Sequence, residues 1–116
     1  MKRAYATVEL YNNGLKVDYV YITITDNYKA VDSYEIADEL VDEFDELKND
    51  FDKAIVKVED YETLYTTLTL TRTIECDNLE KLAEELEDFS YSIVQYNEKI
   101  ERSIEFEADN YGLTIE

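Results

Sequence analysis

Tyr5-Ala6-Thr7-Val8-Glu9-Leu10-Tyr11-Asn12-Asn13-Gly14-Leu15-Lys16-Val17-Asp18-Tyr19-Val20-Tyr21-Ile22-Thr23-Ile24-Thr25 decides the fold of this chain. Two runs of β-branched and aromatic residues flank Asn13-Gly14. Asn and Gly accept the positive φ angles of a type I′ turn, so this arrangement predicts a two-stranded hairpin. Alternation places Leu15, Val17, Tyr19 and Tyr21 together on one face of its second strand.

Downstream, the period changes. Asp32 precedes Glu35 by three residues, a capping-box spacing. Ile36, Leu40, Phe44, Leu47 and Phe51 then recur at helical intervals with Ala37 and Val41 beside them, which predicts a helix over 33–51. A second strand pair follows, Ala54 to Glu59 and Leu64 to Cys76. Asp77 with Glu80 repeats the cap spacing, ahead of a helix carrying Leu79, Leu82, Leu86, Phe89, Ile93 and Tyr96.

The C-terminal stretch reads two ways. Ile100 and Ile104 prolong the second helix, or residues 104–115 form a strand, a turn at Asp109–Gly112 and a strand; the second is favoured. Setting Gly112 on Gly14 matches Val8 with Phe106, Glu9 with Glu107, Leu15 with Leu113 and Val17 with Ile115, a weak internal repeat of about 45–50 residues. The expected architecture is a single α+β domain over residues 1–116. It would be two-layered, an antiparallel sheet with two amphipathic helices on one face, in the order hairpin-helix, hairpin-helix, hairpin. The other sheet face, rich in Thr and Tyr, would meet solvent or a partner.

Charge carries the functional reading. The 116 residues include 29 Asp or Glu against 11 Lys or Arg, no His and no Pro, for a formal net charge of −18. No His excludes Ser-His and Cys-His nucleophiles and His-ligated zinc. The lone Cys76 excludes an intramolecular disulfide or a cysteine cluster, and its acidic surroundings would raise its pKa. No apolar run reaches the roughly 18–20 residues of a membrane span, and the N-terminus has no signal-like apolar block. The expectations are a cytoplasmic protein, no membrane partner, no cofactor, no specific metal site and no catalysed reaction. With 45% hydrophobic and 13% aromatic residues, including 11 tyrosines, the chain has enough apolar material to fold. Most strand tyrosines, Tyr5, Tyr11, Tyr19, Tyr21, Tyr61 and Tyr65, are expected as half-buried sheet residues. Tyr28, Tyr91 and Tyr111 are placed to flank a contact surface.

Acid is densest at Asp38, Glu39, Asp42, Glu43, Asp45, Glu46, Asp50 and Asp52, interrupted by Lys48. Read as one helix, these positions span roughly 21 Å, about one net negative charge per 3 Å. A single DNA strand carries one per ~3.4 Å. The second helix adds Glu80, Glu84, Glu85, Glu87 and Asp88, with few acid–base pairs four residues apart to offset the charge. The candidate partner-binding set is therefore Asp38, Glu39, Asp42, Glu43, Asp45, Glu46, Asp50, Glu84, Glu85, Glu87 and Asp88. Direct nucleic-acid binding is disfavoured, because the chain would repel a phosphate backbone. The expected partner is a basic nucleic-acid-binding protein or enzyme, bound by a monomer or a homodimer.

In size, charge and lack of catalytic residues the chain resembles the small acidic phage or mobile-element inhibitors that mimic nucleic acid. These include anti-restriction proteins, anti-CRISPR proteins and uracil-DNA glycosylase inhibitors. The resemblance implies a stoichiometric inhibitor that occupies the nucleic-acid groove of a host defence or DNA-processing enzyme, and it would then work in the host cytoplasm. Two other readings stand beside it: a small acidic adaptor or structural protein, homodimeric in one version, and a module that associates with Ca²⁺ or Mg²⁺.

Overall fold

The computed structural model describes residues 3–26, 29–43, 50–62, 67–98 and 114–115. Their order is β1 (Arg3–Asn12), β2 (Leu15–Asp26), β3 (Lys29–Ala30), α1 (Ser33–Glu43), β4 (Lys53–Glu62), β5 (Thr67–Ile74), α2 (Leu79–Glu98) and β6 (Thr114–Ile115). The class is α+β, with a six-stranded antiparallel sheet ordered β3-β2-β1-β4-β5-β6. The two long hairpins meet through their first strands, so β1 lies inside the sheet.

The first hairpin forms for the reason its sequence gives. Asn13 and Gly14 take φ of 52° and 81°, and Asn12 pairs with Leu15 across a two-residue loop. One part of the strand reading is corrected. A register shift at Leu10/Tyr11 leaves Val17 opposite no partner, and its side chain packs against the core instead of joining Tyr19 and Tyr21. A bulge turns one residue to the other face, which strict alternation cannot register. β4 contains a similar irregularity between Val58 and Tyr61, where Asp60 has φ 53°.

The core joins Ala4, Ala6, Val8 and Leu10 of β1, Val20, Ile22 and Ile24 of β2, and Ala54, Val56 and Val58 of β4 with side chains of both helices. Ile36 and Leu40 of α1 and Leu82, Leu86, Phe89 and Ile93 of α2 are fully buried. The helices contact each other; α1 contacts β2, and α2 contacts β2, β3 and β5. Tyr61 lies at the core margin, where burial pushes its hydroxyl up to about 12. Burial likewise raises the Cys76 thiol, ahead of the smaller effect of Glu85 and Asp77.

Three further expectations change. The helix predicted over 33–51 is described only to Glu43, and Asp50–Asp52 are not helical. Phe51 is buried without being on the helix, and the Asp52 N–H donates to the Tyr11 carbonyl, lengthening the β1–β4 ladder. Val41 is 57% exposed rather than part of the buried stripe. The cap of α2 is Asn78, not Asp77: Asn78 Oδ1 accepts the Lys81 N–H at 2.8 Å. Asp32 caps α1 as expected, accepting the Glu35 N–H at 2.9 Å. Strand residues Thr114 and Ile115 pair with Thr71 and Leu70. The other residues of the expected C-terminal hairpin, with Phe44, Leu47, Tyr28, Tyr65 and Tyr111, lie outside the described residues. No described helix is long and apolar enough to cross a membrane.

Candidate functional site: the acidic face of α1

α1 is acidic and wholly without cations. Its 11 residues, Ser-Tyr-Glu-Ile-Ala-Asp-Glu-Leu-Val-Asp-Glu, hold Glu35, Asp38, Glu39, Asp42 and Glu43 and no Lys or Arg. At 1.5 Å rise per residue the helix is about 16 Å long, so it carries one carboxylate per ~3.3 Å. Over its described length the helix thus keeps a linear charge density close to the expected value. Burial of Ile36 and Leu40 turns Glu35, Asp38, Asp42 and Glu43 outward, and all four are exposed. Two apolar residues stand among them: Tyr34 is 82% exposed and Val41 57%.

Glu39 behaves differently. It is half-buried and accepts the Thr23 N–H at 3.2 Å, and the Thr23 hydroxyl lies 3.4 Å from its Oε1. Thr23 belongs to β2, on the side away from β1. Between α1 and the end of β2 lies a cleft of about 350 Å³ lined by Thr23, Asp26, Val31, Glu35, Ile36, Asp38, Glu39 and Asp42. Five of these eight side chains are carboxylates. Among the described residues, no group of three or more Cys, Asp or Glu is arranged to hold a metal ion.

The α2 carboxylates are partly committed to holding the fold. Glu87 accepts the Ser33 N–H at 2.6 Å, tying α2 to the first turn of α1. Asp88 pairs with Arg72 at 2.7 Å, while the Arg72 guanidinium also reaches Ser92 and stacks over Phe89 at 5.0 Å. Glu84 is exposed and Glu85 half-buried. Asp50 is exposed and is not helical. Asp45 and Glu46 lie outside the described residues.

The structure therefore brings Asp38, Glu39, Asp42 and Glu43 together on one helix, to which Asp50 does not belong. Sequence reasoning missed Asp26, Glu35, Tyr34 and Val41 as members of this surface. The spacing Tyr34, Asp38, Val41 and Asp42, which places all four on one helical face, was the available signal.

On the opposite side the sheet has another character. Tyr5, Tyr19 and Tyr21 are more than half exposed, beyond the half-burial expected of them, and Tyr11 is half-buried. Tyr19 and Tyr21 meet edge to face with centroids 6.1 Å apart. Lys16 stands over Tyr19 and Lys53 over Tyr11, with Lys16 also paired to Glu9 at 3.2 Å, the interaction that raises the Lys16 pKa. Two described cations, Lys16 and Lys53, thus stand on the tyrosine face, whereas α1 carries acid and no cation.

No family model, curated protein or solved structure matches this chain.

Proposed function

We propose that this chain is a stoichiometric protein inhibitor that presents the α1 carboxylates as a substitute for a nucleic-acid backbone. It would block the nucleic-acid-binding groove of a host defence or DNA-processing enzyme. In this reading the helices form one layer on one face of the sheet and offer their solvent side to the target. The observation that carries it is the row Glu35, Asp38, Asp42 and Glu43, exposed on a helix that holds no cation. An ordinary solvated helix face interleaves acid and base, which favours helix stability and solubility. This one interleaves acid with exposed Tyr34 and Val41, which give a protein partner apolar area to bury beside the charges. Asp38, Asp42 and Glu43 are the main phosphate substitutes and Glu84 a secondary one. Glu39, Glu87 and Asp88 hold the surface in shape.

The test is competition. Immobilised protein should retain a basic DNA-binding enzyme from candidate host lysate at low salt and release it to added duplex DNA. Reversing charge at Asp38, Asp42 and Glu43 should weaken capture by on the order of a hundredfold, as expected when three charge contacts are lost at modest salt. Retention that duplex DNA does not displace, or that survives the triple reversal, refutes the proposal.

The exposed Tyr5, Tyr19 and Tyr21 favour a second reading, an acidic adaptor that dimerises through its outer sheet face. That reading requires a homodimer in solution whose mass is insensitive to salt and to the same charge reversals.

A further inference from the structure

β2 is twelve residues long, yet among the described residues its outer edge is paired only at Thr25 and Asp26, by β3. From Leu15 to Ile24 that edge has no described strand beside it. Two of its outward amides are met by side-chain carboxylates. The Tyr19 N–H donates to its neighbour's carboxylate, Asp18 Oδ1, at 2.8 Å, and the Thr23 N–H donates to Glu39. Tyr19, Tyr21 and Thr23 occupy equivalent register positions opposite Glu9, Thr7 and Tyr5. Their backbone groups therefore all point to the open edge, because N–H and C=O directions alternate along an antiparallel strand. At Tyr19 and Thr23 carboxylates stand where the carbonyls of an added strand would be.

An open strand edge ordinarily invites another copy of the same chain, and charge is one of the means by which proteins prevent this. Here two copies would each bring a charge of −18. The same field admits a strand of opposite sign, and the acidic cleft begins at Thr23, the last open position of that edge.

We propose that the β2 edge at Tyr19, Tyr21 and Thr23 receives an extended basic segment of the partner protein, which adds to the sheet as a further strand. It rests on the reading that the partner is a basic protein, but not on mimicry of nucleic acid. Main-chain hydrogen bonds supply the binding and alternate side chains supply the choice of sequence. Side chains on the core side of the added strand would turn toward α1. Lys or Arg there would meet Glu39, Asp26 and Asp38 around the cleft. Those on the other side would lie beside the exposed rings of Tyr19 and Tyr21, which suit aliphatic stems. The segment therefore carries basic residues at every second position with apolar ones between. On arrival its carbonyls replace the carboxylates at the Tyr19 and Thr23 amides, freeing Glu39 to pair with an incoming cation.

The probe is a blocked peptide of about eight residues, a common strand length, alternating Lys with Val and Thr. Amide exchange should slow at Tyr19, Tyr21 and Thr23 on adding it. A peptide with Glu in place of Lys should give no protection, and one N-methylated on alternate amides in the edge-facing register should bind at least tenfold more weakly. Tyr21→Pro removes an outward N–H at a position where an edge strand tolerates proline, and should weaken binding by a similar factor with the circular dichroism spectrum unchanged. Equal binding of the N-methylated and plain peptides refutes the proposal using the unmodified protein alone. So does protection confined to α1, or no binding of the Lys peptide at millimolar concentration. Failure of DNA to compete with a captured enzyme would overturn the mimic reading while leaving these peptide results intact.

Discussion

Ser90 shows what one hydroxyl does inside this molecule. It is fully buried on α2, donates to the Ile24 carbonyl and accepts the Val31 N–H at 3.0 Å. One side chain thus ties α2 to the end of β2 and to the segment leading into α1. Replacing it with Ala strands a buried donor and a buried acceptor, and each such group costs about 1–3 kcal/mol. Ser90→Ala should lower the unfolding free energy in urea by about 2–3 kcal/mol with an unchanged denaturant slope. Ser92→Ala should cost less, because Arg72 keeps its bond to Asp88. A Ser90→Ala loss below about 0.5 kcal/mol would mean that the hydroxyl is dispensable to this joint. Nothing in the sequence marks Ser90, since a hydrophobic-periodicity reading counts Ser as a surface residue and sees only Phe89 and Ile93 beside it. The roles of Glu39 and Glu87 are hidden for a related reason. Their spacing matches that of Asp42 and Glu84, and only the neighbouring strand or helix decides which carboxylate accepts an internal N–H.

At the scale of elements, most of the legible chemistry acts within four residues. Asn13-Gly14 specified its turn, and Asp32 specified the start of α1. The α2 core positions Leu82, Leu86, Phe89 and Ile93 followed from their spacing. Legibility failed where a contact distant in sequence overrules the local pattern. Phe51 fits the α1 stripe, but pairing of Asp52 with Tyr11 draws that segment into the sheet. The bulge at Val17 depends on β1 and β2 slipping relative to each other, which neither strand encodes alone. The α2 cap is a nearer miss, because Asp77 and Asn78 are both good capping residues and the chain uses the second. A paired substitution separates them. Asn78→Ala should cost about 1 kcal/mol, the usual loss on removing an Asn cap. Asp77→Ala, at an exposed position, should leave the melting temperature nearly unchanged. The opposite order of effects would place the cap at Asp77.

The whole molecule is governed by its charge of −18 within principal extents of 44 × 27 × 20 Å. This charge was legible in composition alone. Its distribution was not, because α2 spends Glu87 and Asp88 on contacts with Ser33 and Arg72 while α1 leaves most of its acid in solvent. Self-repulsion on this scale opposes the compact state. The Debye length is about 30 Å at 0.01 M salt, comparable to the domain, so acids on opposite sides still repel. At about 0.15 M it is roughly 8 Å, and only near neighbours interact. Stability should therefore climb steeply with NaCl across that interval and flatten above it. If screening returns about 2 kcal/mol, the melting temperature rises by on the order of 10 °C for a domain of this size. Thermal melts in a NaCl series would read this directly, with sucrose as an uncharged control that strengthens burial without screening. A melting temperature independent of NaCl below 0.15 M would mean that acid and base neutralise each other in place. The α1 carboxylates would then have no unspent field to offer a basic partner, and both the inhibitor reading and the strand-addition site would lose their electrostatic basis together.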